Sequence, residues 1–185
     1  MHHLPARADA SRNQGLPIAS LSQRSGIRYN RGVSKKHMNI RISAQALIIQ
    51  DEALLVIIKP DDKGELYILP GGGQEFGETL SEALQRECLE ELGARVIVNY
   101  FVTVREFISK NHVNDSDDKM EHIVNHIFAC TLLEPPGTPL SPDLGQTGFR
   151  WLPIHQLGQF RFYPQKLAAL LSNHQPVPSY LGDVN

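Results

Sequence analysis

The chain has 185 residues, 18 of them Lys or Arg and 20 Asp or Glu, for a formal net charge of −2. At that length and 41% apolar content it suits one ordinary domain with a real core plus an extension, which argues against a multidomain machine. No apolar run approaches the ~20 residues that cross a bilayer, so an integral membrane protein is not expected. Cys88 and Cys130 are too few for a disulfide framework, which points to packed thiols in a reducing, cytoplasmic setting.

The charge is unevenly spread. Residues 1–37 carry seven basic groups against Asp9 alone, +6, whereas residues 38–185 carry 11 basic against 19 acidic, −8. Pro5, Gly15, Pro17, Gly26 and Gly32 interrupt the arm, and neither strand nor helix periodicity is sustained. A flexible basic extension over 1–37 is expected, followed by a folded domain over 38–185. The arm is read as a solvated tail, an organellar transit segment, sequence upstream of a start at Met38, or a binder of RNA or polyphosphate.

From Ile40 the pattern becomes regular. Ile40–Gln50 and Leu54–Lys59 read as strands around an Asp51-Glu52 turn, and Leu66–Leu69 as a short strand that ends at the turn Pro70-Gly71-Gly72-Gly73. One strong helix follows. Thr79 and Glu82 make a capping box, Leu80, Ala83, Leu84, Cys88 and Leu92 fall at helical spacing, and Gly93 stops it. Ala94–Ile108 is strand-rich through Val96, Val98, Val102 and Val104, and Ser109–Lys119 is a polar loop. Ile123–Leu133 and Phe149–Pro153 read as strands around a turn-rich loop, Pro135–Gly148, and Pro164–Ser172 as a last amphipathic helix. The fold class expected is α/β (α+β), strands with interspersed helices packed in layers.

Chemistry concentrates on the strong helix. Glu87, Glu90 and Glu91 share a stripe ~100° wide beside the apolar one. Like charges at that spacing destabilise a helix by about 0.2–0.5 kcal/mol per pair, a cost that a hard divalent cation turns into a binding site. Oxygen ligands favour Mg²⁺, with Mn²⁺ as the other candidate. Arg86 can orient the glutamates, for instance Glu90 four residues on. The glycines let backbone approach a ligand closely, and their amides suit phosphate oxygens, so Gly72 and Gly73 are candidate substrate-binding positions.

These residues carry a resemblance. Gly72, Glu78, Arg86, Glu87, Glu90, Glu91 and Gly93 occupy every fixed position of the Nudix hydrolase signature G-x5-E-x7-R-E-U-x-E-E-x-G-U, where U is a bulky apolar residue. Cys88 and Ala94 hold the U positions, Ala94 being smaller than the pattern prefers. The resemblance implies an αβα sandwich with a mixed β-sheet and hydrolysis of a nucleoside diphosphate linked to another group. It implies Glu87, Glu90, Glu91 and a Gly71 carbonyl as metal ligands, and Glu87, Glu90 and Arg86 as catalytic residues. Either Glu87 or Glu90 would take the proton of the attacking water, and Glu78 would play an outer, structural part. Relatives often add an acid from a later loop. Candidates are Glu106, Asp117, Asp118 and Glu121, because the stretch before Trp151 reads Gly145-Gln146-Thr147-Gly148.

The run around the signature is similar to small bacterial ADP-ribose pyrophosphatases, so a small-molecule nucleotide of ADP-ribose type stands ahead of nucleoside triphosphates. Two competitors are a nucleotide sensor that does not cleave and an enzyme that trims capped RNA ends, although a nucleic-acid partner is not expected. Relatives are often homodimers. His112, His122 and His126 lie close in sequence without zinc spacing. Cys88 and Trp151 read as packing residues, as do Tyr67, Phe101, Phe107 and Phe128.

Overall fold

The computed structural model describes residues 39–112 and 121–185. The basic arm, and with it Asp117 and Asp118, lies outside the described residues. Ten strands and two helices follow one another: β1 (Arg41–Leu47), β2 (Ile49–Gln50), β3 (Ala53–Ile58), β4 (Tyr67–Ile68), β5 (Gly71–Gly73), α1 (Leu80–Leu92), β6 (Val96–Ile108), β7 (His122–Leu132), β8 (Gly148–Pro153), β9 (Phe162–Tyr163), α2 (Gln165–Ser172) and β10 (Tyr180–Asp183). Short 3-10 turns cover Ser109–Asn111 and Ile154–Gln159. Among the described residues no helix is long and apolar enough to cross a membrane.

One sheet runs β10-β6-β7-β1-β5, and the other runs β2-β3-β4-β9 with β8 along the free edge of β3. Both are mixed, since β1 pairs parallel to β7 but antiparallel to β5. β3 shows how the layers form. Leu55 and Ile57 pack with Leu84, Cys88 and Leu92 of α1, while Leu54, Val56 and Ile58 pack with Leu167 and Ala168 of α2. A strand buried on both faces reads as a continuous apolar run, as Leu54–Ile58 does. Fully burying each such side chain contributes roughly 1.5–3 kcal/mol.

The helix expected from the periodicity forms where expected. Thr79 accepts from the Glu82 N–H at 3.2 Å, Glu82 accepts from the Thr79 N–H at 2.8 Å, and Gly93 caps the end at φ 60°. Ala83, Leu84, Cys88 and Leu92 are fully buried.

Three elements differ from the sequence expectations. The glycine run is a strand rather than a turn, pairing Gly71, Gly72 and Gly73 with Gln45, Ala44 and Ser43. The Val96–Val104 alternation is broken by register shifts at Val98/Tyr100 and Phe101/Thr103, so Thr103 and Arg105 are the buried residues further along β6. β9 and β10 lack a sequence signal of their own and form by pairing with β4 and β6.

Candidate active site

β5 and α1 lie face to face, and glycine is what allows it. A Cβ on Gly72 would stand 2.5 Å from the Glu87 carboxyl carbon, so the carboxylate occupies the space a side chain would fill. Gly71 has φ 126°, and a Cβ there would strike the Ala44 carbonyl. The Gly71 N–H donates to Glu91 Oε2 at 2.7 Å. Glu91 is 1% exposed, and its Oε1 is buried with no hydrogen-bond partner among the described residues. Burial pushes its carboxyl up to about 8, against the Gly71 N–H that favours the charged form. Burial also raises Glu87, opposed by the Arg86 guanidinium.

Arg86 is a hub for one side of α1. Its Nε and one terminal nitrogen grip Glu78 at 2.7 and 3.0 Å, while Gly73 O accepts at 3.0 Å and Glu87 Oε1 at 2.9 Å. Glu90 Oε2 stands further off, at 3.4 Å. The expected Arg86–Glu90 contact is thus the weakest of the set, and Glu78 is the main partner. Arg86 holds the Glu78 carboxyl down to about 2, so that side chain stays ionised as a structural anchor.

The third carboxylate comes from elsewhere. The loop between β7 and β8 folds along the end of α1 and satisfies its terminal carbonyls. The Gly137 N–H donates to Leu92 O at 2.8 Å, the Ser141 N–H to Glu90 O at 3.1 Å and the Gln146 side chain to Glu91 O at 2.8 Å. That path delivers Asp143. Carboxylate oxygens of Glu87, Glu91 and Asp143 lie within 4.8 Å of one another. Glu90 is not in this group. Lys59, just past β3, donates to Asp143 Oδ2 at 2.7 Å.

Asp143 and Lys59 were missed by sequence reasoning. The only cue is a lone acid in a Pro- and Gly-rich loop, two residues before the acid-free stretch Gly145-Gln146-Thr147-Gly148. Of the other acids considered, Glu106 is bonded by His122 at 2.8 Å and Tyr180 at 2.9 Å. Glu121 is exposed, its N–H donating to Ser109 Oγ. Neither joins the group. The histidines do not converge: His112 bonds Asp183 at 2.7 Å and His122 bonds Glu106. Cys88 is fully buried packing, as expected.

The donor set fits a divalent cation. Three carboxylates converge, one oxygen is buried without a partner among the described residues, and a glycine cradle leaves room for no side chain beside Glu87. Glu87, Glu91 and Asp143 would hold the ion.

Comparison with known proteins bears on the fold and the family. A plant protein named "Nudix hydrolase 17, mitochondrial", from Arabidopsis thaliana, is 34% identical over 98 residues, 51% of this chain and 53% of that protein. The Escherichia coli protein named "Nucleoside triphosphatase NudI" is 34% identical over 89 residues, 45% of this chain and 63% of that one. The match thus spans between about half and two thirds of these relatives' length. A solved UDP-X diphosphatase superposes with a TM-score of 0.57 at 19% identity over 80% of this chain and 68% of its own. An ADP-ribose pyrophosphatase from Streptococcus suis superposes at 0.53 and 18%, over 80% and 100%. At those identities the superpositions establish the fold. The family model described as "NUDIX domain" matches residues 40–172, well over half of the chain, and the chain belongs to that family.

Proposed function

We propose that this chain is a divalent-cation-dependent pyrophosphohydrolase that cleaves a small nucleoside diphosphate derivative, with Mg²⁺ as the physiological ion and Mn²⁺ as a substitute. The observation that carries this reading is the buried Glu91 Oε1, without a partner among the described residues, within a group of three carboxylates, two on the signature helix and one on the loop before β8. A bound divalent cation supplies charge neutralisation at the phosphate oxygens and a more acidic water. The chain's own residues supply the rest. Glu87 and Glu91 fix the ligand oxygens against the β5 backbone, and Arg86 keeps Glu87 oriented while it anchors Glu78. Glu90 is less buried and only loosely held, so it is free to accept the proton of the attacking water. The Gly72–Gly73 backbone is proposed to meet the substrate phosphates.

A nucleotide linked through a pyrophosphate is favoured because relatives carry the names nucleoside triphosphatase, UDP-X diphosphatase and ADP-ribose pyrophosphatase. The test is a screen of ADP-ribose, other nucleotide sugars and nucleoside triphosphates for released phosphate or nucleoside monophosphate. Mg²⁺-dependent turnover that EDTA abolishes is expected with at least one class. No turnover of any class with Mg²⁺ or Mn²⁺ would leave the nucleotide-sensor reading in its place.

A further inference from the structure

We infer that Lys59 competes with a divalent cation for the Asp143 carboxylate oxygen, and turns to a substrate phosphate oxygen once displaced. The second step rests on the hydrolase reading above; the first rests on geometry alone.

Lys59 is held firmly at its base. Its N–H donates to Leu66 O at 2.8 Å, and the carbonyl of Ile58 just before it accepts from the Thr147 N–H at 2.9 Å. The first bond ties the end of β3 to the segment before β4, and the second ties it to the end of the Asp143 loop. The Lys59 ammonium reaches Asp143 Oδ2 at 2.7 Å, and among the described residues it is the one side-chain partner of that carboxylate. The two side chains are 24% and 48% exposed, so the pair adds little to folding and is cheap to exchange.

Its position nevertheless matters. Asp143 also lies within 4.8 Å of Glu87 and Glu91, so one carboxylate is shared between an ammonium and a group of acids built for a cation. Before a divalent ion arrives, the ammonium offsets part of the negative charge. Once Asp143 turns to the ion, Lys59 is left unpaired at the rim where metal-bound phosphates would lie. A compact ammonium on a flexible stem suits such re-aiming better than a planar guanidinium.

The test uses the full chain and Mn²⁺ alone, titrated by calorimetry into wild type, Lys59→Met, Asp143→Asn and the double variant. Lys59→Met is expected to bind Mn²⁺ about twofold to fivefold tighter, the worth of an exposed ion pair. Asp143→Asn is expected to bind more weakly, with no gain when Lys59→Met is added. In hydrolysis, Lys59→Met is expected to raise KM about tenfold with a smaller change in kcat, as for loss of a charged hydrogen bond to substrate. Unchanged or weaker Mn²⁺ binding by Lys59→Met, or equal tightening without Asp143, overturns the competition. An unchanged KM overturns the phosphate step. Those results with wild-type hydrolysis intact leave the hydrolase reading standing, whereas absent wild-type hydrolysis removes that reading and the phosphate step together.

Discussion

At the far end of β6, Glu106 and Asp183 sit side by side in register, each surrounded by donors. Glu106 receives His122 and Tyr180; Asp183 receives Asn111, His112 and the Ile108 N–H. His122 and Tyr180 hold Glu106 below its ordinary carboxyl range, and the donors around Asp183 outweigh its burial, which alone would raise it. Along α1 the balance is reversed. Glu87 and Glu91 are raised by burial, and Glu91 keeps an oxygen with no partner among the described residues. Both regions gather acids, the first across paired strands and the second between a helix, a strand and a loop, but only the first is electrostatically complete. A satisfied carboxylate pair fastens strands together, while an unsatisfied buried one is held at a cost that binding a cation can recover.

The comparison breaks most readily at Glu91. Glu91→Gln is expected to lower turnover of the best substrate about a hundredfold while the fold persists, because a neutral amide cannot replace a ligand carboxylate. Near-wild-type rates in Mg²⁺ would show that the unpartnered oxygen has no catalytic meaning. Next in size is Gly72→Ala. The added methyl would stand 2.5 Å from the Glu87 carboxyl, so the carboxylate must move, and Mn²⁺ affinity is expected to fall about tenfold. Equal affinity in calorimetry would refute the cradle.

How much of this was legible beforehand follows from where the information lies. α1 was readable because its cap, period and stop are all local, from Thr79 to Gly93. The glycine strand was not, because Gly71–Gly73 has little strand preference and pairs only because β1 is present. Asp143 was invisible for a similar reason: its approach to Glu87 depends on a loop that caps a helix fifty residues earlier. Spacing points to Glu87 and Glu91 and equally to Glu90, whose carboxylate is not among the three that converge.

A subtler test uses pH. In EDTA, the raised Glu91 carboxyl contributes stability that is fully present below about pH 4.5, its unfolded value, and lost as pH rises through about 8. The melting temperature of the metal-free protein should therefore decline across that window, more steeply than for Glu91→Gln, and Mn²⁺ should release a proton on binding below pH 8. Identical slopes for the two proteins would contradict the burial argument. The smallest effect is expected at the satisfied cluster: Glu106→Gln should lower the melting temperature modestly and leave Mn²⁺ affinity untouched. A loss of Mn²⁺ binding there would erase the distinction between the two regions.

The loop that closes the end of α1 also sets an order of assembly. The capping box and apolar face of α1 are local and can form early, but its last carbonyls wait for Gly137, Ser141 and Gln146. The proposed cation site would follow the same schedule, since two of its acids are on the helix and the third arrives with that loop. A nascent chain that stops short of Asp143 would carry two of the three acids and leave the end of the helix open. Ion binding at the proposed site would thus report that the long-range part of the fold has closed, and an ion at about a hundred times its Kd would favour the closed chain by about 2.7 kcal/mol.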